Sequence, residues 1–496
     1  MKRPSLLLFI LTITLAVIGC RKDFNYSEKA VNLGFSSDTI FLDTVFTSIG
    51  SSTRILKVFN PTDENIIISR ISLGRGPSSY YRINVNGTSS RDIKDVEILA
   101  RDSIYIFVEV TADVMGANSL LYTDSIVFTT AGNLQDVKLV TLARDAYFHY
   151  PTNYFRIDQP DPFPDIVIPY SVLSCNETWS NDKPHVIYGY ALVDSACTLT
   201  INPGTEVHFH NGSGLWVLPQ GKLLIDPNKS GSLDNPVIIQ GDRLEPFYEN
   251  IPGQWGGVLG GIFISSGSTQ NVINNTIIKN ATTGLRIDST GSTQRNMSLY
   301  NVMILNHSRV GIYGGFSNIL AENLVVGNCG IYGFYALGGN YIFRHATFAN
   351  YWFGGSRSTP TIGLFNFFED GAGNRYVRNV EFAEFSNCII WGNNFHEFGI
   401  GKDNSGLLTY QLNNSLIRID KSSDDGSYDP PRFTNCILNN DPRLIDPQNY
   451  EFALDTLSPA MDNGNVNVGN LVPFDILGIK RDFNGIPDIG AYERIE

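Results

Sequence analysis

Hydrophobic and polar positions alternate in short runs along the first third of the chain. Between residues 31 and 147 these runs include DTIFLDTVF, YYRINVNG and DSIYIFVEV. An alternation of period two predicts half-buried β-strands, and turn signals such as Asn60-Pro61 and Asn86-Gly87 separate the runs. The spacing of strands and turns predicts an antiparallel β-sandwich over residues 31–147.

A different apolar pattern repeats in the second half of the chain. FSNCIIWGNN and FTNCILNND are two copies of it, each with apolar residues at the second and third places after the first Asn. The matching positions along the chain are Asn275, Asn301, Asn323, His345, Asn387, Asn414 and Asn435. The intervals between them are 26, 22, 22, 42, 27 and 21 residues, and five copies carry another Asn five places later. A period of about 22 residues with short β-rich runs predicts one coil of a solenoid.

Stacking of such coils explains why the same residue types recur. Counterparts in neighbouring coils lie about 4.8 Å apart, so Asn side chains can hydrogen-bond along the stack, since each amide offers donors and an acceptor. Cys388 and Cys436 occupy equivalent positions, where other copies carry small or apolar residues. We therefore interpret both as small buried thiols rather than as reactive or metal-binding groups.

Two stretches of the repeat region resemble a known fold family. LTINPGTEVHFHNGSGLWVLPQGKLLIDPNKSGSLDNPVIIQGD and the later IPGQWGGV, which contains Trp255, are similar to the opening coils of pectin-lyase-like proteins. The terminal DIGAYE resembles the closing tail of bacterial β-helix surface proteins. The resemblance implies a right-handed parallel β-helix over residues 185–440 and a C-terminal cap over residues 441–496. The cap residues expected to make local turns and ion pairs are Asp482, Asp488, Tyr492 and Glu493.

Residues 31–147 resemble immunoglobulin-like domains of the kind first grouped from ciliary and centrosomal proteins, most specifically around Asn60-Pro61. That resemblance implies a spacer or binding module without catalytic residues. Residues 148–184 contain YPTNYFRIDQPDPFPDIVIPY, whose prolines predict an extended linker. The predicted fold class is therefore all-β: an N-terminal immunoglobulin-like β-sandwich followed by a right-handed parallel β-helix with its cap.

The start of the chain has the pattern of an export signal. MKRPSLLLFILTITLAVIGC has two basic residues, an apolar core and a final Cys20, which predicts a signal peptide over residues 1–19. Its last four residues resemble the lipobox of bacterial lipoproteins, which implies lipidation of Cys20 and a tether over residues 20–30. The presence of Arg21 after this Cys, rather than Asp, resembles lipoproteins that are sent to the outer membrane. The sequence does not indicate on which face of that membrane the protein lies.

Composition narrows the class of partner. A net charge of −13, with no basic cluster among aromatics, argues against binding to nucleic acid. An acidic chain of this kind is expected to contact the membrane through its N-terminal lipid. In an oxidising compartment, Cys175 and Cys197 can form a disulfide near the start of the repeat, although sequence does not show their geometry.

The interval of 42 residues between His345 and Asn387 is nearly twice an ordinary coil. Long excursions from a regular scaffold often carry function, so this one is a candidate ligand site. Aromatic residues here can stack on sugar rings, and charged residues can bind hydroxyl groups. The candidates are Trp352, Phe353, Arg357, Phe367, Phe368, Glu369, Asp370, Arg375 and Tyr376. The alternative is a loop that folds its own aromatics onto the flank of the solenoid.

Two further clusters are candidate metal sites. Asp420, Asp424, Asp425 and Asp429 offer hard oxygen ligands for Ca²⁺, and the alternative is a solvated acidic turn. His208 and His210 stand two apart on a predicted strand and hence on one face, where they are expected to be exposed. A metal pair needs a third ligand, and the sequence offers no convincing one.

The sequence shows no recognisable catalytic set. Lyases of the pectin-lyase-like class need clustered acids for Ca²⁺ with a basic residue, and hydrolases need two placed carboxylates. We therefore predict an envelope-anchored lipoprotein that serves as a non-catalytic glycan-binding or structural surface module, with a polysaccharide or surface protein as partner and no required cofactor. The alternative is a polysaccharide lyase or glycosidase whose acids converge from different coils.

Overall fold

The computed structural model describes residues 26–27, 29–113, 121–160, 162–289, 294–422, 427–481 and 485–495. The predicted signal peptide and Cys20 lie outside these residues. The chain divides into two compact units, Met1–Asp145 and Ala146–Glu496. Both are built almost entirely from β-strands. In the described part of the chain, no helix reaches the length and hydrophobicity needed to span a membrane.

Strands of the first unit form two sheets around one core. The strands are β1 (Tyr26–Ser27), β2 (Gly34–Phe35), β3 (Thr39–Phe46), β4 (Arg54–Phe59), β5 (Asn65–Leu73), β6 (Tyr81–Val85), β7 (Thr88–Ser89), β8 (Asp92–Ile98), β9 (Ser103–Val110), β10 (Leu121–Thr130) and β11 (Asn133–Arg144). One sheet has the order β1-β5-β10-β11-β3 with β8 beside β5, and the other has the order β2-β4-β9-β6-β7. Alternation along β9 buries Ile106 and Val108, which share a core with Ile126 and Leu139 of the first sheet.

Most pairings in the first unit are antiparallel, as the alternating pattern predicts. The predicted turn Asn86-Gly87 joins β6 to β7 with both residues at positive φ, which suits a tight hairpin. However, β1 pairs with β5 and β3 pairs with β11 in parallel. The prediction of a purely antiparallel sandwich is wrong in this respect, because the alternation of apolar residues fixes the buried face but not the direction of the neighbouring strand.

The second unit is a long stack of mainly parallel strands. They are β12 (Tyr147–His149), β13 (Asn153–Ile157), β14 (Ile166–Val172), β15 (Thr178–Trp179), β16 (His185–Ile187), β17 (Tyr190–Val193), β18 (Thr198–Ile201), β19 (Glu206–Phe209), β20 (Gly214–Val217), β21 (Lys222–Ile225), β22 (Val237–Gly241), β23 (Ile262–Ile264), β24 (Asn271–Lys279), β25 (Thr283–Ile287), β26 (Met297–His307), β27 (Val310–Gly315), β28 (Asn318–Cys329), β29 (Tyr332–Leu337), β30 (Gly339–Arg344), β31 (Thr347–Asn350), β32 (Ile362–Phe365), β33 (Phe367–Glu369), β34 (Arg375–Val377), β35 (Val380–Ser386), β36 (Ile389–Gly392), β37 (Phe398–Gly401), β38 (Leu408–Asn413), β39 (Leu416–Ile417), β40 (Phe433–Thr434), β41 (Ile437–Leu438), β42 (Leu444–Asp446) and β43 (Glu451–Leu454). Among the described residues, the α-helix is α1 (Val466–Leu471).

Two large sheets organise this unit. One has eighteen strands and the other has ten, in the order β13-β14-β17-β20-β23-β25-β27-β29-β32-β37. The strand register follows the sequence repeat, since Asn271 pairs with Met297 and Met297 pairs with Ile319. Buried residues of both sheets form one continuous apolar core. This arrangement is a β-helix-like fold.

The Asn at the start of each repeat marks a bend in the chain. All six of these Asn residues, and His345 in the fourth copy, have φ between 45° and 54°, a conformation that Asn tolerates better than most residues. Asn301 donates from Nδ2 to Asn275 Oδ1 at 3.1 Å, and Asn323 donates to Asn301 Oδ1 at 2.9 Å. The predicted hydrogen bonding between stacked Asn side chains is confirmed for these three coils.

The two repeat cysteines differ in burial. Cys388 is fully buried, and burial raises the pKa of its thiol to about 12. Cys436 lies near the end of the stack and is half-buried, and burial raises the pKa of its thiol to about 11. Both are free thiols, while a disulfide joins the predicted pair, Cys175 and Cys197.

Residues 148–184, predicted as a linker, contain paired strands of the second unit. β12 pairs with β16, and β13 and β14 form a hairpin whose second strand pairs with β17. Most of the prolines in this segment lie in the turns between these strands, and Pro169 lies within β14. The linker prediction is wrong because these prolines do not prevent strand formation. Proline removes one backbone N–H donor, and a strand tolerates it where that donor has no hydrogen-bond partner in the sheet.

The C-terminal residues pack against the outside of the eighteen-stranded sheet. Leu305, Val325 and Ile389, from three different strands of that sheet, form a buried cluster with Phe452 and Ile489. The described tail residues, 441–481 and 485–495, therefore lie along the flank of several coils, rather than only beyond the last one. Burial of these apolar side chains stabilises the attachment of the tail.

Charged residues of the tail form a buried network. Arg481 donates from Nη1 to Glu493 Oε2 at 3.3 Å, and the two side chains are 1% and 2% exposed. Glu493 also accepts from the backbone nitrogen of Asp488 at 3.0 Å, and its own backbone nitrogen donates to Asp475 Oδ2 at 2.9 Å. Asp488 and Glu493 thus make the local turns and ion pair predicted for the tail, and Asp482 lies outside the described residues.

We expect the stability of the second unit to fall between pH 5 and pH 9, in part because of Glu493. Burial raises the pKa of this carboxyl from 4.5 to about 8. The folded state therefore holds the proton more tightly than the unfolded state, so the stabilising contribution is complete below about pH 4.5 and is lost as the pH rises through about 8. Thermal unfolding followed by circular dichroism will show a smaller fall in Glu493→Gln than in the wild type. Equal pH dependence in the two proteins would contradict this assignment.

Candidate functional site

The nine residues predicted as a ligand site separate into three groups in the structure. Trp352 is half-buried and Phe353 is exposed, and both follow β31. Arg357 is buried, with its side chain 2% exposed. The other six lie on the hairpin of β33 and β34 or in its turn. The excursion therefore does not bring all nine side chains to one surface.

Arg357 is held in an interior ion pair. Its Nη1 and Nη2 donate to Glu397 Oε2 and Oε1 at 2.9 and 2.6 Å, and Nη2 also donates to the carbonyl of Asn350 at 3.2 Å. Glu397 accepts in addition from the backbone nitrogen of Thr361 at 2.8 Å and from that of Asn394 at 2.8 Å. This network joins the excursion to the turn before β37. The guanidinium N–H groups that were expected to bind a ligand donate to Glu397 and to the carbonyl of Asn350 instead.

Side chains of the hairpin contact one another. Phe368 stacks on Tyr376 with ring centroids 5.0 Å apart. Arg375 lies 4.2 Å over the ring of Phe367 and forms an ion pair with Glu369 at 2.6 Å. Asp370 accepts from Asn374 and Tyr376, and these hydrogen bonds lower the pKa of its carboxyl to about 2. The hairpin is thus an internally paired surface element.

Two of the four aspartates predicted to bind Ca²⁺, Asp424 and Asp425, lie outside the described residues. The other two have protein partners: Asp420 accepts from the backbone nitrogen of Ser422 at 2.8 Å, and Asp429 accepts from Lys421 Nζ at 2.8 Å. Among the residues that the structure describes, no three His, Cys, Asp or Glu side chains are placed to hold a metal ion together.

His208 and His210 are directed to different partners. His208 is buried, with Nδ1 3.0 Å from the carbonyl of Gly241 and Nε2 3.2 Å from Glu206 Oε2. His210 is exposed, and its Nδ1 lies 2.7 Å from Asp242 Oδ2. The prediction that both histidines are exposed is wrong for His208, because neighbouring polar groups cover its ring and occupy both nitrogens.

The ten-stranded sheet carries a row of five aromatic side chains and one arginine on its outer face. We call this row the aromatic strip. Register places the first five members on successive strands, because Phe263 lies between Trp216 and Arg286, and Tyr313 lies between Arg286 and Tyr335. Phe365 pairs with Leu337 instead, and it joins the strip by stacking on Tyr335. The members of the aromatic strip are Trp216, Phe263, Arg286, Tyr313, Tyr335 and Phe365.

Neighbouring members of the strip stack on one another. The guanidinium of Arg286 lies 4.6 Å from the ring centroid of Phe263 and 6.0 Å from that of Tyr313. Tyr313 and Tyr335 stack at 5.4 Å with 9° between their planes, and Tyr335 stacks on Phe365 at 5.1 Å. Burial raises the pKa of the Tyr335 phenol to about 12, so this hydroxyl is a donor at neutral pH.

An open groove of about 710 Å³ lies beside the strip. Its wall includes the glycine-rich residues 256–260, the hydroxyl-bearing Thr282 and Thr283, and two arginines, Arg286 and Arg309. Arg309 is exposed, and among the described residues that line the groove there is no carboxylate. The groove therefore combines two guanidinium groups with hydroxyls and an aromatic edge, which suits a polyhydroxylated ligand that carries negative charge.

Asp288 is the acid nearest to this arrangement along the chain. Its Oδ2 lies 3.4 Å from Arg286 Nη2. Burial raises the pKa of the Asp288 carboxyl, and the neighbouring Arg286 opposes that rise. A carboxyl with a raised pKa suits a general acid, but a glycosidase of the usual kind needs a second carboxylate about 5–9.5 Å away.

Sequence reasoning missed the strip because its members are separated by whole coils. Arg286, Tyr313 and Tyr335 stand 11, 12 and 12 residues after the repeat residues Asn275, Asn301 and Asn323. An alignment of the repeats at those places, as well as at the Asn positions, shows these aromatic and arginine side chains recurring. The sequence favours the long excursion as the ligand site instead, because its aromatic residues lie close together along the chain.

No known protein family matches the sequence, and no curated protein matches it either. Among solved structures, this chain is similar to the catalytic domain of GH87 alpha-1,3-glucanase in complex with nigerose, with 12% sequence identity and a TM-score of 0.22 over 79% of this chain and 87% of that one. A variant of the same domain with nigerose gives 11% identity and a TM-score of 0.20 over the same shares of the two chains. Similarity at this level does not assign an activity or a site residue to this chain.

Proposed function

We propose that this protein is an outer-membrane lipoprotein that binds a glycan without cleaving it. In this proposal Cys20 carries the lipid, residues 31–147 are an immunoglobulin-like spacer or binding module, and the second unit is a right-handed parallel β-helix that presents the ligand surface. Support for the anchor comes from the lipobox-like VIGC and the apolar run before it. The membrane face on which the protein acts stays open.

The aromatic strip with its adjoining groove is the observation that carries the glycan-binding proposal. Extended polysaccharides need a long, open surface, and the strip runs across successive strands that lie about 4.8 Å apart. Tyr313 lines the groove together with Thr282 and Thr283, and Tyr335 stacks on Tyr313. The strands that carry the aromatic strip are hydrogen-bonded to neighbouring strands on both sides, which reduces the entropy lost on binding.

Charge within the groove defines the class of glycan that we propose. Arg286 and Arg309 are its charged wall residues, although the chain as a whole has a net charge of −13. Arginine binds carboxylate and sulfate groups through paired hydrogen bonds. A glycan that carries uronic acid or sulfate groups therefore suits the groove better than a neutral one.

Replacement of Arg309 by alanine tests this proposal. We expect soluble protein from Arg21 onward to bind hexagalacturonate, and Arg309→Ala to weaken that binding about tenfold or more, because a charge-assisted hydrogen bond contributes about 1.5–3 kcal/mol. Isothermal titration calorimetry measures the change. The matched control is Arg443→Ala, since Arg443 is also exposed but does not line the groove. Equal affinity in both variants would remove the groove as the binding surface.

A polysaccharide lyase or glycosidase is the second candidate function. The raised pKa of Asp288 beside Arg286 favours it. Size-exclusion chromatography of polysaccharides incubated with the protein distinguishes the two functions, because shortened chains require catalysis. Ca²⁺ bound by Asp420, Asp424, Asp425 and Asp429 stays a proposal, and a loss of glycan binding in chelator would support it.

A further inference from the structure

A second groove lies near the last coils, away from the aromatic strip. Its volume is about 520 Å³. Its wall comes from the ends of β36 and β39, from the turn that follows β36, and from the residues after β41. We call it the C-terminal groove, and the side chains that matter are Trp391, Phe395, Arg418, Asp420, Asn439 and Asp441.

Phe395 lines this groove, and 81% of its surface is exposed. The turn that carries it is fixed on both sides: Asn393 Nδ2 donates to the carbonyl of Trp352 at 2.9 Å, and Asn394 Nδ2 donates to that of Thr359 at 2.7 Å. The backbone nitrogen of Asn394 also donates to the buried Glu397 at 2.8 Å. An exposed aromatic ring on a turn held in this way is a preorganised stacking surface.

Arg418 forms the floor between two rings. Its guanidinium carbon lies 5.2 Å from the ring centroid of Trp391 and 5.4 Å from that of Phe395. Its Nη1 donates to the carbonyl of Gly392 at 2.7 Å, which fixes the group in place. The remaining N–H groups of Arg418 can donate to acceptors in the groove.

Polar groups of opposite charge surround this floor. Asp420 and Asp441 are exposed carboxylates on the wall, and Asn439 holds its Oδ1 against the backbone nitrogen of Ile419 at 2.9 Å. The two carboxylates disfavour an anionic ligand, and the guanidinium of Arg418 offsets part of their attraction for a cationic one. A neutral ligand with an apolar face can stack on the exposed ring and form hydrogen bonds through its hydroxyls with groups of either charge.

We propose that the C-terminal groove is a second glycan-binding site, specific for a neutral sugar residue. The apolar face of the pyranose stacks on Phe395, while its hydroxyls donate to Asp420 and Asp441 and accept from Arg418. This site does not depend on the aromatic strip, and its ligand differs in charge from the acidic glycan proposed there.

Calorimetric titration of soluble protein with neutral hexaoses of glucose and mannose tests the site. The probes are maltohexaose, cellohexaose, laminarihexaose and mannohexaose, in buffer with EDTA so that Ca²⁺ at Asp420 makes no contribution. We expect at least one probe to bind, and Phe395→Ala to weaken that binding about tenfold, because this variant removes the ring on which the pyranose stacks. Phe247→Ala is the matched control, because Phe247 is 75% exposed and lies outside the groove.

The outcomes separate this site from the first one. Weaker binding of the neutral probe in Phe395→Ala, with hexagalacturonate binding unchanged, supports a distinct neutral-sugar site. Failure of all four neutral probes to bind the wild type at millimolar concentration overturns it, and so does equal affinity in Phe395→Ala and Phe247→Ala. A loss of hexagalacturonate binding in Arg309→Ala leaves this result unaffected, because Arg309 lies in the other groove.

Discussion

Replacement of Arg357 by methionine will lower the free energy of unfolding of the second unit by about 3–5 kcal/mol, the cost of removing one partner from a buried ion pair. Glu397 is fully buried, and both its carboxylate oxygens accept from Arg357, at 2.9 and 2.6 Å. Methionine fills part of the space but leaves the carboxylate without its cation. This loss of stability exceeds that from removing an ordinary contact. Glu397 must then stay ionised in the interior without a partner or take up a proton.

Urea unfolding followed by tryptophan fluorescence and circular dichroism measures this change. The matched control is Arg375→Met, because Arg375 forms a similarly short ion pair with Glu369 on an exposed hairpin, where such pairs contribute about 0–1 kcal/mol. A loss below about 1 kcal/mol in Arg357→Met would show that solvent reaches Glu397. Because Glu397 also fixes Asn394, we expect this variant to weaken binding at the C-terminal groove as well.

The repeat could be predicted from the sequence because its physical cause is periodic. Each coil places Asn at the same bend, and the side chains of Asn275, Asn301 and Asn323 then hydrogen-bond in a row. The coil length and the residue type are sufficient to predict such a hydrogen bond. The all-β class and the parallel stacking follow from the same pattern.

The partners of single side chains could not be predicted in this way. Arg357 was assigned to a ligand, since nothing near it in sequence shows that Glu397, 40 residues later, meets it in the interior. His208 was expected on the surface, but Glu206 and Gly241 cover it. Arg357 lies in the irregular segment between β31 and β32, and His208 lies on β19. In both cases burial depends on residues from distant parts of the chain, and the local sequence pattern carries no information about them.

The same reasoning applies to the tail. The resemblance of DIGAYE predicts a capping segment, but the motif does not specify which surface that segment covers. The structure places the tail against the outer faces of β26, β28 and β36, where it buries apolar residues that would otherwise face water. Its charged network therefore contributes to the stability of several coils.

Replacement of Arg481 by methionine is the second large effect that we expect, and its size will depend on pH. At pH 9 the variant will lose about 3–5 kcal/mol, because Glu493 must then either stay ionised in the interior without a cation or take up a proton that the unfolded chain does not bind at this pH. At pH 5 the loss will be smaller, since the raised pKa of Glu493 keeps its carboxyl protonated and neutral. Urea unfolding at both pH values gives the comparison.

The double variant Arg481→Met with Glu493→Gln decides between charge and packing as the origin of this loss. If the unpaired carboxylate causes it, the amide will restore much of the stability at pH 9 and will have little effect at pH 5. Arg481 also donates to Asn323 Oδ1 at 2.9 Å and to the carbonyl of Ala491 at 3.0 Å. A loss that is equal at both pH values and is not restored would assign the contribution of Arg481 to these two hydrogen bonds. The one to Asn323 attaches the tail to the row of stacked Asn side chains, and the one to Ala491 lies within the tail.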